Sequence, residues 1–370
     1  MVLTISPGGS HSSDRRRNIR LLAGLLLVMT SLFSSASSQA IASAESATVS
    51  GQRVAVAATT VWYRPSPALG TGPNLLEAID STTGKVLRAF EVEAGALLAG
   101  ASGNLCLLAL SSGAVQAFSS TSSMPLWSYD AIEQPALLGS DDTAFYLGGT
   151  IGAAGEAQIV AVALEAGTGA ERWRTILTRV GIGAETVRFR GFVSQGIAVA
   201  VPEGSHALYG IEATTGSIVW KERYDATATN LSVTAEGVLF FLDDAGSLET
   251  AVRACDLGSG EALWTLGLGE ISEHASGMQG VYGAGDLVLV SYMTPTPMLE
   301  FNEGMRTGVA AIDASSGTVR WLFPGDDASL RGNIAFASDA NGVYVHTTIR
   351  TAPGHPDVTY GLDQATGKER

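Results

Sequence analysis

The sequence predicts an all-β chain of four-stranded antiparallel blades, a β-propeller. Three observations predict it. An eleven-residue frame recurs seven times along the chain. Five of the six tryptophans fall in one slot of that frame. Beyond residue 44 no segment carries the 3.6-residue apolar period of a helix.

The clearest copy of the frame runs from Ala311 to Trp321: a small residue, an apolar one, an acid, three turn-formers, Gly317, then Trp four places later. In chain order the copies are Ala78…Gly84 with Arg88 in the Trp slot, then Ala117…Trp127 with Ser123 in the Gly slot. Ala163…Gly169…Trp173, Gly210…Gly216…Trp220 and Ala254…Gly260…Trp264 follow. Ala311…Gly317…Trp321 is the sixth, and Gly361…Gly367 the seventh. Successive turn positions lie 39, 46, 47, 44, 57 and 50 residues apart. Each copy reads as a strand entering a Ser/Thr/Gly turn, where Gly supplies positive φ, and a second strand leaving with the Trp. Upstream of the frames stand further hairpin signals: Ser102-Gly103-Asn104, Ser140-Asp141-Asp142, Ser194-Gln195-Gly196, Ala235-Glu236-Gly237, Gly285-Asp286 and Asn341-Gly342. Each unit therefore holds four short strands, and four-stranded units at this spacing are the signature of a propeller. The seventh copy reaches Arg370, one place before its Trp slot. We therefore expect seven or eight blades in the full protein, with the strand at Tyr360–Asp363 lying at a sheet edge or paired with residues 46–52.

The frame resembles the tryptophan-docking repeat of quinoprotein-like (PQQ-like) β-propellers, over residues 50–370. The resemblance implies that Trp127, Trp173, Trp220, Trp264 and Trp321 pack between neighbouring blades. It also implies that Gly84, Gly169, Gly216, Gly260, Gly317 and Gly367 close the turn between the third and fourth strands. The superfamily includes BamB-like outer-membrane assembly scaffolds, whose lipobox Cys this chain lacks, since no Cys precedes Cys106. It also includes dehydrogenases that hold pyrroloquinoline quinone over calcium. Those enzymes use adjacent cysteines and a Glu/Asn/Asp set, and neither is recognisable here. Pyrroloquinoline quinone and calcium are accordingly not expected.

Arg15, Arg16, Arg17 and Arg20 precede an apolar run from Leu21 to Phe33, and a small-residue stretch ends at Ala42-Ser43-Ala44. This is the layout of a secretory signal. The run falls short of the ~20 residues that span a bilayer. Residues 1–44 are read as a signal peptide and 45–370 as the propeller domain; left uncleaved, residues 21–44 would anchor the chain. The destination is periplasmic, cell-surface or extracellular. The formal charge is −14, and loss of residues 1–44 leaves 18 basic and 35 acidic side chains, net −17. Lys occurs only at 85, 221 and 368. Such a balance excludes a nucleic-acid backbone as partner. Cys106 and Cys255 fall in different repeats and are expected as buried free thiols.

Residues able to do chemistry are scattered. His206, His274, His346 and His355 are scattered over several repeats, and the acidic doublets Asp141-Asp142, Asp243-Asp244 and Asp326-Asp327 read as solvated turns. The Gly-rich stretch Gly148–Gly152 reads as a loop that opens no helix, unlike a phosphate cradle. Long connections between second and third strands are read at Pro65–Pro73, Gly148–Glu156, Thr294–Gly308 and Thr347–Thr359. Such connections leave a propeller on one face, which would bring Tyr63, Arg64, Met298, Phe301, Arg306, Arg350 and His355 to one rim. Loops on a rigid scaffold are where binding concentrates. The reading is an exported propeller that binds a protein or other ligand there, without catalysis. A quinoprotein dehydrogenase relative and the sensor ectodomain of a signalling protein are the alternatives.

Overall fold

The computed structural model describes residues 47–49, 52–57, 60–64, 75–80, 82–94, 96–122, 124–152, 157–180, 187–203, 205–224, 227–244, 250–273, 275–294, 306–324, 330–331, 333–339, 342–348 and 358–370. Seven antiparallel sheets follow one another along the chain. The chain divides into two compact units, one carrying the described residues up to Glu222 and the other those from Arg223.

In the first unit, sheet one runs β1 (Ala47–Val49), β2 (Gln52–Ala57), β3 (Thr60–Arg64), β4 (Leu75–Asp80) and β5 (Val86–Glu91). Sheet two is β6 (Leu97–Ser102), β7 (Leu105–Ala109), β8 (Val115–Ser119) and β9 (Trp127–Tyr129). Sheet three is β10 (Glu133–Ser140), β11 (Ala144–Ile151), β12 (Ala157–Glu165) and β13 (Glu171–Val180). Sheet four is β14 (Phe189–Ser194), β15 (Ile197–Pro202), β16 (Ala207–Glu212) and β17 (Ile218–Arg223).

In the second unit, sheet five is β18 (Thr227–Val233), β19 (Val238–Asp244), β20 (Ala251–Asp256) and β21 (Ala262–Gly267). One helical turn, α1 (Leu268–Ile271), follows it. Sheet six is β22 (Gly277–Ala284), β23 (Leu287–Thr294), β24 (Arg306–Asp313) and β25 (Val319–Phe323), with β26 (Leu330–Arg331) pairing to β24. Sheet seven is β27 (Asn333–Asp339), β28 (Gly342–Thr348) and β29 (Val358–Leu362). Sequential antiparallel sheets on one plan are the blades of a β-propeller.

The core lies between sheets. Trp62, Leu76 and Phe90 of sheet one meet Leu98, Cys106 and Phe118 of sheet two in one buried cluster. Ala163, Trp173 and Leu177 of sheet three meet Ala198, Tyr209 and Ile211 of sheet four. In the second unit, Phe240 and Val252 meet Val288 and Ala310, and Leu289 and Trp321 meet Val343 and Leu362. Sheets two, three and six are apolar on both faces because each face is covered by a neighbour in the same unit, which is why their strands read as near-continuous apolar runs.

Several expectations are corrected here. Gly148–Ile151 is strand, the end of β11, paired with Gln158–Ala161. The expected connection at Gly148–Glu156 therefore shrinks to residues 152–156, and Gly148 is a glycine because a Cβ there would meet the Phe189 ring at 2.4 Å. Asp243 and Asp244 close β19, and Asp243 is buried against Arg253, not solvated in a turn. Thr294 and Arg306–Gly308 belong to β23 and β24. Residues 47–49 pair with β2. The β29 strand, by contrast, lies at the edge of its sheet as expected, bonded to β28 and bridged at Leu362 to Glu369. Asp326 and Asp327 lie outside the described residues, as do residues 1–46.

Candidate functional site

The recurrent frame is an interblade joint, and its parts can be built one residue at a time. The acid ends the third strand, and the frame Gly donates its N–H to the acid's own carbonyl, as in Gly84→Asp80, Gly216→Glu212 and Gly317→Asp313, at 2.8–2.9 Å. That closure needs the left-handed region, and the frame glycines sit at φ 66–76°. The acid's side chain then takes the turn's free donors. Asp80 Oδ1 accepts from the N–H groups of Thr82 and Thr83 and from the Thr83 hydroxyl. Asp313 does the same with Ser315 and Ser316, and Arg320 adds a guanidinium. These bonds hold the carboxyls below the ordinary range, led by Thr83 at Asp80, Ser259 at Asp256, Ser315 at Asp313 and Arg370 at Asp363.

The tryptophan of one sheet crosses to the frame of the next. Trp127 lies on Gly169, Trp173 on Gly216, Trp264 on Gly317 and Trp321 on Gly367; a Cβ on any of these glycines would come within 2.6–2.8 Å of the ring. Each indole Nε1–H donates to the carbonyl one residue after the acid: Trp127 to Ala166, Trp173 to Ala213, Trp264 to Ala314 and Trp321 to Gln364, at 2.8–2.9 Å. Within its own sheet each Trp pairs with the first frame residue, as in Ala163↔Trp173, Ala254↔Trp264 and Ala311↔Trp321. That residue is small because the indole lies over it. At Gly210 even a Cβ would fall 2.0 Å from the Trp220 ring.

A bulge repeats beside the joint. The partner register slips by one residue just before Trp173, Trp264 and Trp321, and again before Arg88 in the Trp slot of sheet one. On the same outer strands Tyr129 donates to Glu171, whose Oε2 also takes Arg174 at 2.6 Å. Burial, then the Glu171 carboxylate, pushes the Tyr129 phenol up to about 12.

Of the expected rim residues, Arg64 is the last of β3 and Arg306 the first of β24, paired with Thr294 and Arg331. Tyr63 pairs with Val54 and Glu77. Met298, Phe301, Arg350 and His355 lie outside the described residues, as does His274. His346 Nδ1 sits 2.9 Å from Thr359 Oγ1. Among the described residues no three His, Cys, Asp or Glu side chains group closely enough to hold a metal. Cys106 and Cys255 are separately buried, and burial pushes the Cys106 thiol up. No helix among the described residues is long and apolar enough to cross a membrane.

No curated protein matches the chain in sequence. Among solved structures, BamB from Moraxella catarrhalis is 19% identical, over 80% of this chain and 78% of its own, with a TM-score of 0.49. The quinohemoprotein alcohol dehydrogenase ADHIIG from Pseudomonas putida HK5 is 14% identical, over 85% of this chain and 65% of its own, at 0.52. A eukaryotic initiation factor is 10% identical, over 84% of this chain and 74% of its own, at 0.56. At such identities the last two carry the fold alone. The family described as outer membrane protein assembly factor BamB matches residues 31–190 and 156–370. By that match, which runs through the joints of both units, the chain belongs to the BamB family.

Proposed function

We propose that this protein is an exported, non-enzymatic scaffold that binds a protein partner in the cell envelope through its long second-to-third-strand connections. One observation carries the reading. The frames spend their acids, glycines and tryptophans on joints between sheets, while connections 65–74, 295–305 and 349–357, each joining a second to a third strand, carry no copy of the frame. A residue type needed once per repeat is structural, so partner recognition falls to what the repeats do not share. The family description, an outer membrane protein assembly factor, supports a protein partner in that compartment. Tyr63, Arg64, Met298, Phe301, Arg306, Arg350 and His355 are assigned to the contact surface, where aromatic and Arg side chains dominate interface energetics. Export rests on the basic n-region and apolar run of residues 15–44.

The test combines site-specific photocrosslinking at positions 301 and 350 with deletion of residues 295–305. A discrete crosslinked envelope protein, lost in the deletion variant while the melting temperature holds, is the expected result. An unchanged crosslink from position 350 in the deletion variant would remove connection 295–305 from the binding surface. Catalysis is tested separately. Dye reduction by purified protein given pyrroloquinoline quinone, calcium and an alcohol or sugar would sink the non-enzymatic reading.

A further inference from the structure

The first strands of the three sheets in the second unit border an open cleft of about 500 Å³, within the roughly 300–1,000 Å³ range of small-molecule sites. Asn230 comes from β18, Gln279 and Tyr282 from β22, Phe336 from β27, and Ser291 from β23 behind them. None of the lining residues is an Asp, Glu, Lys, Arg or His. In a protein of net charge −14, such a cleft suits an uncharged ligand.

Two features narrow the ligand further. The first is the Asn230 carboxamide. Asn230 is held at φ 51°, a region that residues with a side chain seldom occupy. From there its Nδ2 donates to the main-chain carbonyl of Gln279 on the neighbouring sheet at 2.9 Å. That bond occupies an acceptor on the edge strand β22, between two residues that line the cleft. An extended peptide adding to β22 would lose this acceptor, so recognition passes to side chains. The second feature is an aromatic pair: Tyr282 and Phe336 stack across two sheets, ring centroids 6.1 Å apart and 27° from parallel. Beside them Gly280 contributes no side chain, and Ser291 Oγ lies 3.5 Å from its carbonyl.

Carboxamides and a hydroxyl next to an aromatic surface, with no charge, match a ligand that carries paired hydroxyls on a ring with an apolar C–H face. We propose that this cleft binds a neutral saccharide of one or two rings, packed on the Tyr282–Phe336 pair and hydrogen-bonded by the carboxamides of Asn230 and Gln279. This site is separate from the protein-binding connections and stands whether or not they bind a partner.

The experiment uses the purified full chain with maltose, cellobiose and N,N′-diacetylchitobiose as probes, glucosamine and glucuronate as charged controls, and tetra-alanine as a peptide control. Calorimetry and saturation-transfer NMR read binding. At least one neutral disaccharide should bind, and the charged sugars should bind more weakly. Gln279→Ala removes a side chain but keeps the main-chain carbonyl used by Asn230. It should weaken the sugar roughly three- to tenfold, the worth of one hydrogen bond, without moving the melting temperature. Phe336→Leu should weaken it as well. No binding by any of the three disaccharides overturns the proposal. So does sugar binding that neither variant alters, and so does tetra-alanine binding that Gln279→Ala weakens while the sugars do not bind.

Discussion

Three side chains make each joint: a tryptophan, the small residue opposite it, and the glycine it covers on the next sheet. Trp173 is 9% exposed and donates to Ala213 at 2.9 Å. Trp173→Ala should cost about 3–5 kcal/mol, measured by urea unfolding, and Trp173→Phe should lose about 1 kcal/mol for the hydrogen bond plus some packing. The glycines give a sharper contrast. Gly196 sits at φ 76° with nothing within 4 Å of a new Cβ. Gly196→Ala should therefore cost only the left-handed strain, about 1–2 kcal/mol. At Gly216, also at φ 76°, a Cβ would meet the Trp173 ring at 2.6 Å, so Gly216→Ala should cost clearly more. Equal costs at the two positions would mean that the indole is not what fixes Gly216. The Trp and Gly slots were legible as a repeat. The donor–acceptor pair across sheets was not, because the acceptor is a main-chain carbonyl and leaves no residue signature.

At the scale of elements, the third-to-fourth-strand turns carry the pH dependence. Asp313 is depressed by Ser315 first and Arg320 second. A carboxyl whose folded value lies below its unfolded one contributes stability above about pH 4. It loses that contribution as the pH falls toward the folded value. Asp313→Asn should thus melt lower than the parent at pH 7, and the gap should close toward pH 2. A gap that stays constant with pH would assign the effect to lost geometry alone. Hairpins were legible wherever Gly or Asp marked the turn, as at Gly103, Gly196 and Gly285. The end of β11 was not: Gly148, Gly149 and Gly152 read as a loop, whereas Gly148 and Gly149 make room for Phe189 and Ile132. Sheet-to-sheet packing imposed glycine on a strand, and local sequence alone does not distinguish that from a turn. Asp243 was misread for a related reason, since its partner Arg253 lies on the next strand and ten residues away.

Across the whole molecule, the stabilising contacts are repeated between successive sheets, so changes in the connections should leave stability nearly untouched. The connection at 295–305 leaves from Thr294 and returns at Arg306, which face each other in register. Replacing it with Asn-Gly forms a two-residue hairpin suited to that pair and shortens the loop to be closed, which carries no entropic penalty. The variant's melting temperature should stay within a few degrees of the parent's, as followed by circular dichroism. A large drop would show that the connection packs as part of the core. The repeat spacing made the number and order of sheets legible. The cleft among β18, β22 and β27 was not, because Asn230, Gln279 and Phe336 occupy no shared frame position and meet only through tertiary packing.

The bulge that recurs before Arg88, Trp173, Trp264 and Trp321 has a practical consequence. It turns Leu87, Arg172, Leu263 and Arg320 out of the pairing register, immediately before the Trp slot. Leu87 and Leu263 are 48% and 45% exposed although each adjoins a packed interface. In these four sheets one position is thereby released from the ladder: as leucine it faces solvent, and as arginine it reaches back to a neighbouring turn, Arg172 to Thr143 and Arg320 to Asp313. At Leu87 and Leu263 a chain so organised can change its outer coat one address at a time, by mutation over generations or by a chemist attaching a dye, with the interior taking little part in the exchange.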